Sequence, residues 1–305
     1  MMLQTLSAEP AAPPLWVLAW KRTVDYLALT KPRVVAMVLI TTFVGFYLAS
    51  PGDLAWLLLG HTLVGVALAS GGTLALNQYL ERDLDARMLR TRERPLPEGR
   101  IRPAEALGFG VAITGAGLLY LSWLVNPLSS LVTAISVGSY LFIYTPLKQK
   151  TPFCVTVGAV PGALPPVAGW SAASGTLPLE AWVLFAILFL WQIPHSLAIA
   201  VLYREDYARA DFRLLPVMDV EGSSTARQIV IHSLALFAIG LLPTTLHLAG
   251  VLYFATAFFL GAMMLVYGVM LARSYSAMAA RRLLYASLVY LPALLLVMAI
   301  DKVRL

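Results

Sequence analysis

The sequence has little charge for its length, and this shortage sets the first limit on its class. Of its 305 residues only 12% are charged, against roughly a quarter in soluble domains, while 59% are hydrophobic. A single cysteine, Cys154, excludes a framework of disulfide bonds. The hydrophobic residues form solid runs instead of the polar–apolar alternation that a membrane β-barrel requires. The composition therefore indicates a helical membrane protein.

Apolar stretches of about 20 residues recur along the chain, and each is long enough to cross a ~30 Å hydrocarbon core. They predict an all-α polytopic membrane protein with about nine transmembrane helices. The fifth stretch is rich in glycine and proline, which a span tolerates only where neighbouring helices or a cavity satisfy its backbone groups. The predicted spans are approximately 33–50, 55–80, 104–124, 127–145, 154–172, 180–203, 226–246, 250–272 and 283–300.

Lysine and arginine are distributed unevenly between the two ends of these spans. All 22 except Lys302 and Arg304 lie before or at the start of the first span, or around the loops that follow the even-numbered spans. The positive-inside rule then places the N-terminus and those loops in the cytoplasm and the C-terminus outside. We predict a multi-pass protein of the cell inner membrane, without a signal peptide. Residues 1–30 are expected to form a cytoplasmic N-terminal leader and residues 31–305 a single transmembrane domain.

Acidic residues are also concentrated, although membrane topology gives no reason for it. Eleven of the 16 fall in two of the cytoplasmic loops, at 81–105 and 205–221. Because aspartate and glutamate contribute little to topology, this concentration indicates that the two loops bind something. The alternative is a pair of solvated loops in which acids and bases neutralise one another.

The first acidic loop begins with the stretch NQYLERDLDARMLRTRERPLP. Asn77, Glu81 and Asp85 are spaced by four, so on a helix they share one face within about 80° and rise through roughly 12 Å. Such a column of hard oxygen atoms suits Mg²⁺, which proteins often hold with one or two carboxylates plus substrate phosphate oxygens. Arg90 and Arg94 follow, and guanidinium groups match phosphate oxygens bidentately. The combination predicts a metal–diphosphate site.

The second acidic loop follows the sixth span. The stretch WQIPHSLAIAVLYREDYARADFRLLP contains the end of that span and the start of the loop. Asp206 and Asp211 are its candidate carboxylates for a second Mg²⁺ across the same diphosphate. His195 lies eleven residues before Asp206, which on a helix is the same face about 16 Å deeper. A polar side chain at that depth is a functional candidate, although an interhelical hydrogen bond explains it equally well.

Three stretches of the chain resemble the protohaem IX farnesyltransferases, or haem O synthases, of the UbiA-type intramembrane prenyltransferase superfamily. They are NQYLERDLDARMLRTRERPLP, YTPLKQKTPFCVTVGAVPGALPPVAGW and WQIPHSLAIAVLYREDYARADFRLLPV. The resemblance extends from about Lys31 to at least Pro216. It implies a UbiA prenyltransferase-like bundle around a central cavity that opens to the cytoplasm and is capped by the two acidic loops.

Carried over position by position, the resemblance implies catalytic and metal-binding residues, diphosphate contacts and a haem contact. The catalytic and metal-binding residues are Asn77, Glu81, Asp85 and Asp206. The diphosphate contacts are Arg90, Arg94 and Lys148, and the haem contact is His195. The sequence departs from the family pattern where Glu81 replaces an aspartate, Asp211 and Arg213 replace a glycine and a proline, and Ser196 replaces a bulky aromatic residue.

The implied activity is transfer of farnesyl from farnesyl diphosphate to the 2-vinyl group of haem B, with Mg²⁺ as cofactor, giving haem O for terminal oxidases. Two alternatives stay open. One is prenylation of a quinone precursor such as 4-hydroxybenzoate, and the other is transport of a lipid diphosphate or another anion. The expected partners are the two substrates and the lipid bilayer, with haem A synthase or oxidase assembly proteins as further candidates. No nucleic-acid partner is predicted.

Overall fold

The computed structural model describes residues 14–303, and within this range the chain is helical. Residues 1–13 of the predicted leader and Arg304 lie outside the described residues. Between residues 14 and 303 the extended pairing is limited to an isolated bridge between Ala249 and Lys302. The predicted all-α membrane class is confirmed.

The helices follow one another with short connections. In chain order they are α1 (Leu15–Leu29), α2 (Pro32–Ala49), α3 (Trp56–Asp85), α4 (Pro103–Leu124), α5 (Pro127–Gly138), the π-helix (Ser139–Tyr144), α6 (Thr145–Leu147), α7 (Cys154–Ala163), α8 (Pro165–Ser174), α9 (Leu179–Leu202), α10 (Arg204–Arg209), α11 (Leu215–Met218), α12 (Ser223–Gly240), α13 (Leu242–Thr245), α14 (Val251–Ser274) and α15 (Ala277–Ile300).

Eight helical segments of the described chain are long and apolar enough to cross a membrane, and they correspond to eight of the nine predicted spans. The remaining predicted span, 154–172, consists of the two shorter helices α7 and α8. The interruption falls at Leu164, directly before Pro165, because proline lacks the backbone N–H that would continue the helical hydrogen bonds. This broken span lies against α9 and contributes to the cavity described below.

The leader prediction did not anticipate α1, which occupies most of residues 14–30. Much of its surface is exposed and apolar, including Leu15, Trp16 and Trp20. Its Asp25 is buried and forms an ion pair with Arg100, which also donates to the backbone oxygen of Glu93. Through these contacts α1 supports the loop that follows α3.

Helices α2 and α8 cross at very short range because each presents a glycine to the other. A Cβ atom on Gly169 of α8 would collide with the backbone oxygen of Thr42, and one on Gly45 of α2 with the backbone oxygen of Pro166. Small residues of this kind let membrane helices approach until their backbones touch. The close crossing fixes the position of α8, the second helix of the broken span.

We expect Gly169→Ala to destabilise the protein by about 1–3 kcal/mol, because the obstructing atom is backbone and cannot rotate away. The expected result is a lower midpoint of thermal unfolding for the detergent-solubilised protein. Gly60→Ala is the matched control, since nothing lies within 4 Å of a Cβ atom at that helical position. Equal midpoints for Gly169→Ala and Gly60→Ala would contradict the close crossing.

Candidate active site

Two adjoining cavities lie at the end of the bundle where α3 and α9 reach the charged loops. The outer one, here called the mouth, has a volume of about 290 Å³ and is lined by acidic and basic side chains. The inner one, here called the hollow, has a volume of about 250 Å³ and is lined mainly by small and apolar residues. The residues that line both cavities are Val34, Tyr140, Tyr144, Val155 and Ser196.

The mouth contains the column of oxygen atoms expected from the sequence. Helix α3 continues through Asp85, so Asn77, Glu81 and Asp85 share one face, and all three line the mouth. Their residues are 1%, 6% and 1% exposed, which is very low for polar groups at a helix end. Buried charges at this level require partners, because the loss of hydration is otherwise uncompensated.

Each oxygen group of the column has a cationic partner from a different part of the chain. Lys31 Nζ donates to Asn77 Oδ1 at 3.2 Å, and Lys148 Nζ donates to Glu81 Oε1 at 2.7 Å. Arg94 Nη1 donates to Asp85 Oδ2 at 2.7 Å. All three cations also line the mouth. Both carboxylates of the column are thus paired with a cation, while Lys31 and Arg90 add further basic groups to the lining before any ligand binds.

From the sequence, Lys31 was expected only to contribute to membrane topology, yet it is one of the charged residues that line the mouth. It precedes Pro32 at the start of α2, with a left-handed φ of 48°, and its side chain reaches the base of the mouth. Burial lowers the pKa of Lys31 to about 7, and the positive charges of Arg94 and Lys148 act in the same direction. The only sequence signal for this role is the position of a lysine directly at the start of an apolar span.

Lys148 lies where the resemblance implies a diphosphate contact. Its ammonium is 4.6 Å from the centre of the Tyr144 ring as well as bonded to Glu81. Burial disfavours the charge of Lys148, but Tyr144 and the Glu81 carboxylate outweigh it and raise its pKa above the usual value. Lys148 is therefore cationic at neutral pH.

The arginines of the first loop reach the second loop. Arg90 lines the mouth between two aromatic rings, with its guanidinium carbon 5.1 Å from the Tyr203 ring centre and 5.7 Å from that of Tyr207. Arg87, in contrast, forms an ion pair at 2.7 Å with Asp211 and is not among the residues that line the mouth. The two acidic loops are thus joined directly over the cavity.

The departures from the family pattern in the second loop have a structural counterpart. Asp211 has a φ of 56°, the left-handed conformation that favours glycine, which explains why a glycine is expected there. Aspartate tolerates this conformation better than most residues. The backbone N–H of Arg213, which a proline would lack, donates to the Lys148 oxygen at 2.8 Å.

Asp206 and His195 are not among the residues that line either cavity. Asp206 forms an ion pair at 2.7 Å with Arg209 on its own short helix, whose Tyr207 does line the mouth. His195 faces α15, where its Nδ1 is hydrogen-bonded to Ser287 Oγ. Their assigned roles stay predictions.

Two aromatic residues lie at the junction of mouth and hollow, and the sequence suggested only one of them, Tyr144, as a candidate for cation–π contact with the substrate. Tyr140 and Tyr144 belong to the π-helix, and the broader turn of such a segment displaces side chains from the register of an α-helix. Both rings line both cavities. No local sequence pattern predicts a π-helix, so only the structure could assign Tyr140.

The residues present can hold a hard divalent ion only if a ligand supplies further oxygens. Within residues 14–303 no three histidine, cysteine, aspartate or glutamate side chains form a complete metal centre. The mouth instead provides one amide and two carboxylate oxygens on one helix face, next to cations suited to phosphate. This is the donor set expected for Mg²⁺ that binds together with a phosphorylated substrate.

A bundle of apolar helices with a charged mouth next to an apolar hollow is suited to a lipid with an anionic head. Residues 38–296 match the UbiA prenyltransferase family. A protein from Solibacter usitatus (strain Ellin6076) named protoheme IX farnesyltransferase is 47% identical over 91% of this chain and 98% of its own. One of the same name from Koribacter versatilis (strain Ellin345) is 45% identical over 91% of this chain and 93% of its own.

A solved structure has the same fold at low sequence identity. The UbiA homologue from Archaeoglobus fulgidus bound to GPP and Mg²⁺ matches with a TM-score of 0.61 and 16% identity, covering 90% of this chain and 99% of that one. The chain belongs to the UbiA prenyltransferase family. The resemblance inferred from three stretches and the predicted class of enzyme, a membrane prenyltransferase, are confirmed.

Proposed function

We propose that this protein transfers the farnesyl group of farnesyl diphosphate to the 2-vinyl group of haem B, producing haem O. The observation that carries the proposal is the continuity between the charged mouth and the apolar hollow. A prenyl diphosphate has the same division, with all its charge at one end and hydrocarbon along the rest. The name shared by the relatives supports haem as the acceptor and farnesyl as the donor group.

The proposed cofactor is Mg²⁺, held by Asn77, Glu81 and Asp85 together with diphosphate oxygens, and with Asp206 from the second loop. Support comes from the hard oxygen donors of the mouth, whose lining includes no histidine or cysteine among the described residues. The UbiA homologue from Archaeoglobus fulgidus, bound to GPP and Mg²⁺, gives further support. When bound, the ion offsets the negative charge that develops on the diphosphate as the allylic C–O bond breaks. Asp206 can bind the ion only when its ion pair with Arg209 is broken.

The basic residues bind the diphosphate oxygens in this proposal. Arg90, Arg94 and Lys148 line the mouth, and Lys31 joins them at its base. In the free protein Lys31, Lys148 and Arg94 are paired with the oxygen column, so neither set of charges is left buried without a partner. A diphosphate supplies anionic oxygens for the basic side chains, and its divalent ion supplies positive charge for the oxygen column. This exchange limits the electrostatic cost of binding.

The hollow protects the reactive allylic group from water. Its apolar lining excludes solvent from the carbocation that forms when diphosphate departs. The rings of Tyr140 and Tyr144 stand at the junction, where cation–π attraction is worth about 2 kcal/mol in a desolvated site. The vinyl group of haem then attacks the allylic carbon. Water adds to the new cation and releases a proton, which leaves a hydroxyethylfarnesyl substituent.

The proposed orientation places the mouth and the N-terminus in the cytoplasm and the C-terminus outside, in the cell inner membrane. The basis is the distribution of lysine and arginine, because the sequence assigns all but Lys302 and Arg304 to the N-terminal side and to the loops after the even-numbered spans, and the charged residues of the mouth come from those segments. Haem A synthase or oxidase assembly proteins remain candidate partners for the product.

The acceptor is tested by supplying membranes that contain the protein with farnesyl diphosphate, Mg²⁺ and either haem B or 4-hydroxybenzoate. We expect mass spectrometry to detect hydroxyethylfarnesyl haem and no prenylated benzoate. Product from the aromatic acid alone would contradict the proposal in favour of quinone-precursor prenylation. Uptake of the diphosphate without release of pyrophosphate would favour a transporter instead.

We expect Arg90→Lys to raise the KM for farnesyl diphosphate by about 10-fold, because lysine cannot form the bidentate contact with phosphate oxygens. The substitution also removes the guanidinium contacts with the Tyr203 and Tyr207 rings. Arg92→Lys is the matched control, since Arg92 is exposed, approaches only Glu93 at 3.9 Å and is not among the residues that line the mouth. An unchanged KM for Arg90→Lys in steady-state assays would limit Arg90 to membrane topology.

A further inference from the structure

His195 is held by two contacts, one with α15 and one within α9, and a third contact joins its two partners. Its Nδ1 lies 2.7 Å from Ser287 Oγ, and its ring stacks on Trp191 with 4.7 Å between ring centres. Trp191 Nε1 in turn donates to the backbone oxygen of Ser287 at 2.9 Å. Ser287 is fully buried, so this arrangement is enclosed by protein on the α15 side. The imidazole is therefore fixed in both position and rotation.

The hydrogen bonds also determine which ring nitrogen carries the proton. Ser287 Oγ has one hydrogen, and it donates to the Leu284 backbone oxygen at 2.6 Å. With its hydrogen directed there, Oγ accepts from His195, and we infer that the proton of the neutral imidazole lies on Nδ1. Nε2 is left with its lone pair and has no hydrogen-bond partner in the range 14–303. Nε2 is not among the fully buried polar atoms of the described chain that lack a partner, so its lone pair is accessible to a ligand.

Two neighbours of His195 on α9 reach the reaction cavity. Gln192 and Ser196, which flank His195 on α9, both line the hollow. A histidine that binds a metal in a protein typically donates its other ring N–H to an oxygen atom, which fixes the tautomer and the ring orientation. The contact between Nδ1–H and Ser287 Oγ has that form.

We propose that Ser287 is a positioning residue for the haem substrate: it holds His195 as the Nδ1–H tautomer, so that Nε2 binds the haem iron while the vinyl group is presented to the hollow. Trp191 supports the same geometry by stacking on the imidazole ring. The inference rests on the proposed function, because it requires haem as the acceptor. Through Ser287, helix α15 would then contribute to haem binding, whereas the acidic loops bind the diphosphate.

The test is titration of the purified full-length chain in lipid nanodiscs with ferric haem B, followed by absorbance and electron paramagnetic resonance. We expect Ser287→Ala to weaken haem B binding about 10-fold or more, the usual consequence of removing the partner of a ligating histidine. His195→Ala should abolish the spectrum of histidine-ligated iron. Ser287→Thr keeps a hydroxyl that can still bond the Leu284 oxygen, and should bind haem B within about threefold of the unaltered protein.

Two controls separate positioning from general damage. Metal-free protoporphyrin IX has no iron to ligate, so its affinity should be unchanged by Ser287→Ala. Ser233→Ala removes another fully buried hydroxyl, one without a hydrogen-bond partner among the described residues, and should leave haem B binding unaltered.

The inference is overturned if Ser287→Ala binds haem B with unchanged affinity and spectrum, or if it loses haem B and metal-free protoporphyrin equally. It is also overturned if Ser287→Thr is as weak as Ser287→Ala, or if His195→Ala keeps the ligated spectrum. These outcomes leave the proposed function intact whenever the unaltered protein still converts haem B to haem O. Failure of the unaltered protein to bind haem B at all would overturn both.

Discussion

Asp85→Asn is expected to lower kcat by about 10²–10³-fold, the effect of removing one electrostatic group that acts on a developing charge. The Asp85 side chain is 2% exposed and paired with Arg94 at 2.7 Å, so asparagine fits the same volume while removing the charge. The loss should fall on kcat more than on the KM for farnesyl diphosphate, because the carboxylate is proposed to act through Mg²⁺ as the C–O bond breaks. Steady-state assays of haem O formation measure both constants.

Asp83→Asn is the control for this prediction, because Asp83 lies two residues away on the same helix. Its side chain is 79% exposed and approaches only Arg82, at 3.6 Å. It is expected to keep nearly full activity. Equal activities for Asp83→Asn and Asp85→Asn, at equal amounts of inserted protein, would remove Asp85 from the catalytic group.

Lys148→Met is expected to reduce kcat/KM for farnesyl diphosphate by about 10²–10³-fold, since it removes a cation aimed at the leaving group. It also leaves the Glu81 carboxylate, 8% exposed, without its partner at 2.7 Å. An uncompensated buried charge of this kind destabilises a protein by about 3–5 kcal/mol, so the midpoint of thermal unfolding should fall as well. Activity is therefore measured per folded molecule, after size-exclusion chromatography.

Lys150→Met provides the matched comparison, because Lys150 is exposed two residues beyond Lys148 and is not among the residues that line the mouth. It should change neither kcat/KM nor thermal stability. If Lys148→Met retains normal kcat/KM once corrected for folded protein, the Lys148–Glu81 pair is structural and does not bind diphosphate.

The parts of the site that were predictable are those fixed by a single helix. Once α3 continues to Asp85, the helical period alone requires Asn77, Glu81 and Asp85 to share a face. The structure has all three side chains in the mouth. The eight unbroken spans were predictable for a similar reason, since length and apolar composition determine whether a helix can cross a bilayer.

Contacts between distant segments could not be derived in the same way. Lys31 and Asn77 are 46 residues apart, and their hydrogen bond depends on how α2 packs beside α3. The pairing of Lys148 with Glu81 likewise depends on the path of the chain after the π-helix. The local sequence shows that a basic residue is present, but it does not show which distant side chain will be its partner.

The relation inferred between His195 and Asp206 rested on a geometry that the structure does not have. It assumed an uninterrupted helix, but α9 ends at Leu202 and α10 begins at Arg204, with Tyr203 outside helical geometry between them. A rotation of 100° per residue therefore cannot be extended from one residue to the other. His195 instead faces α15, and Asp206 bonds to Arg209.

The central claim is that the mouth removes pyrophosphate from a prenyl donor whose tail lies in the hollow, with haem as the acceptor. The most direct test is the stoichiometry of pyrophosphate release and haem O formation by the purified protein, with and without chelation of Mg²⁺. The account predicts one pyrophosphate released for each haem O formed, and loss of both on chelation. Haem O formed at full rate without a divalent ion, or pyrophosphate released while haem B is unchanged, would contradict it.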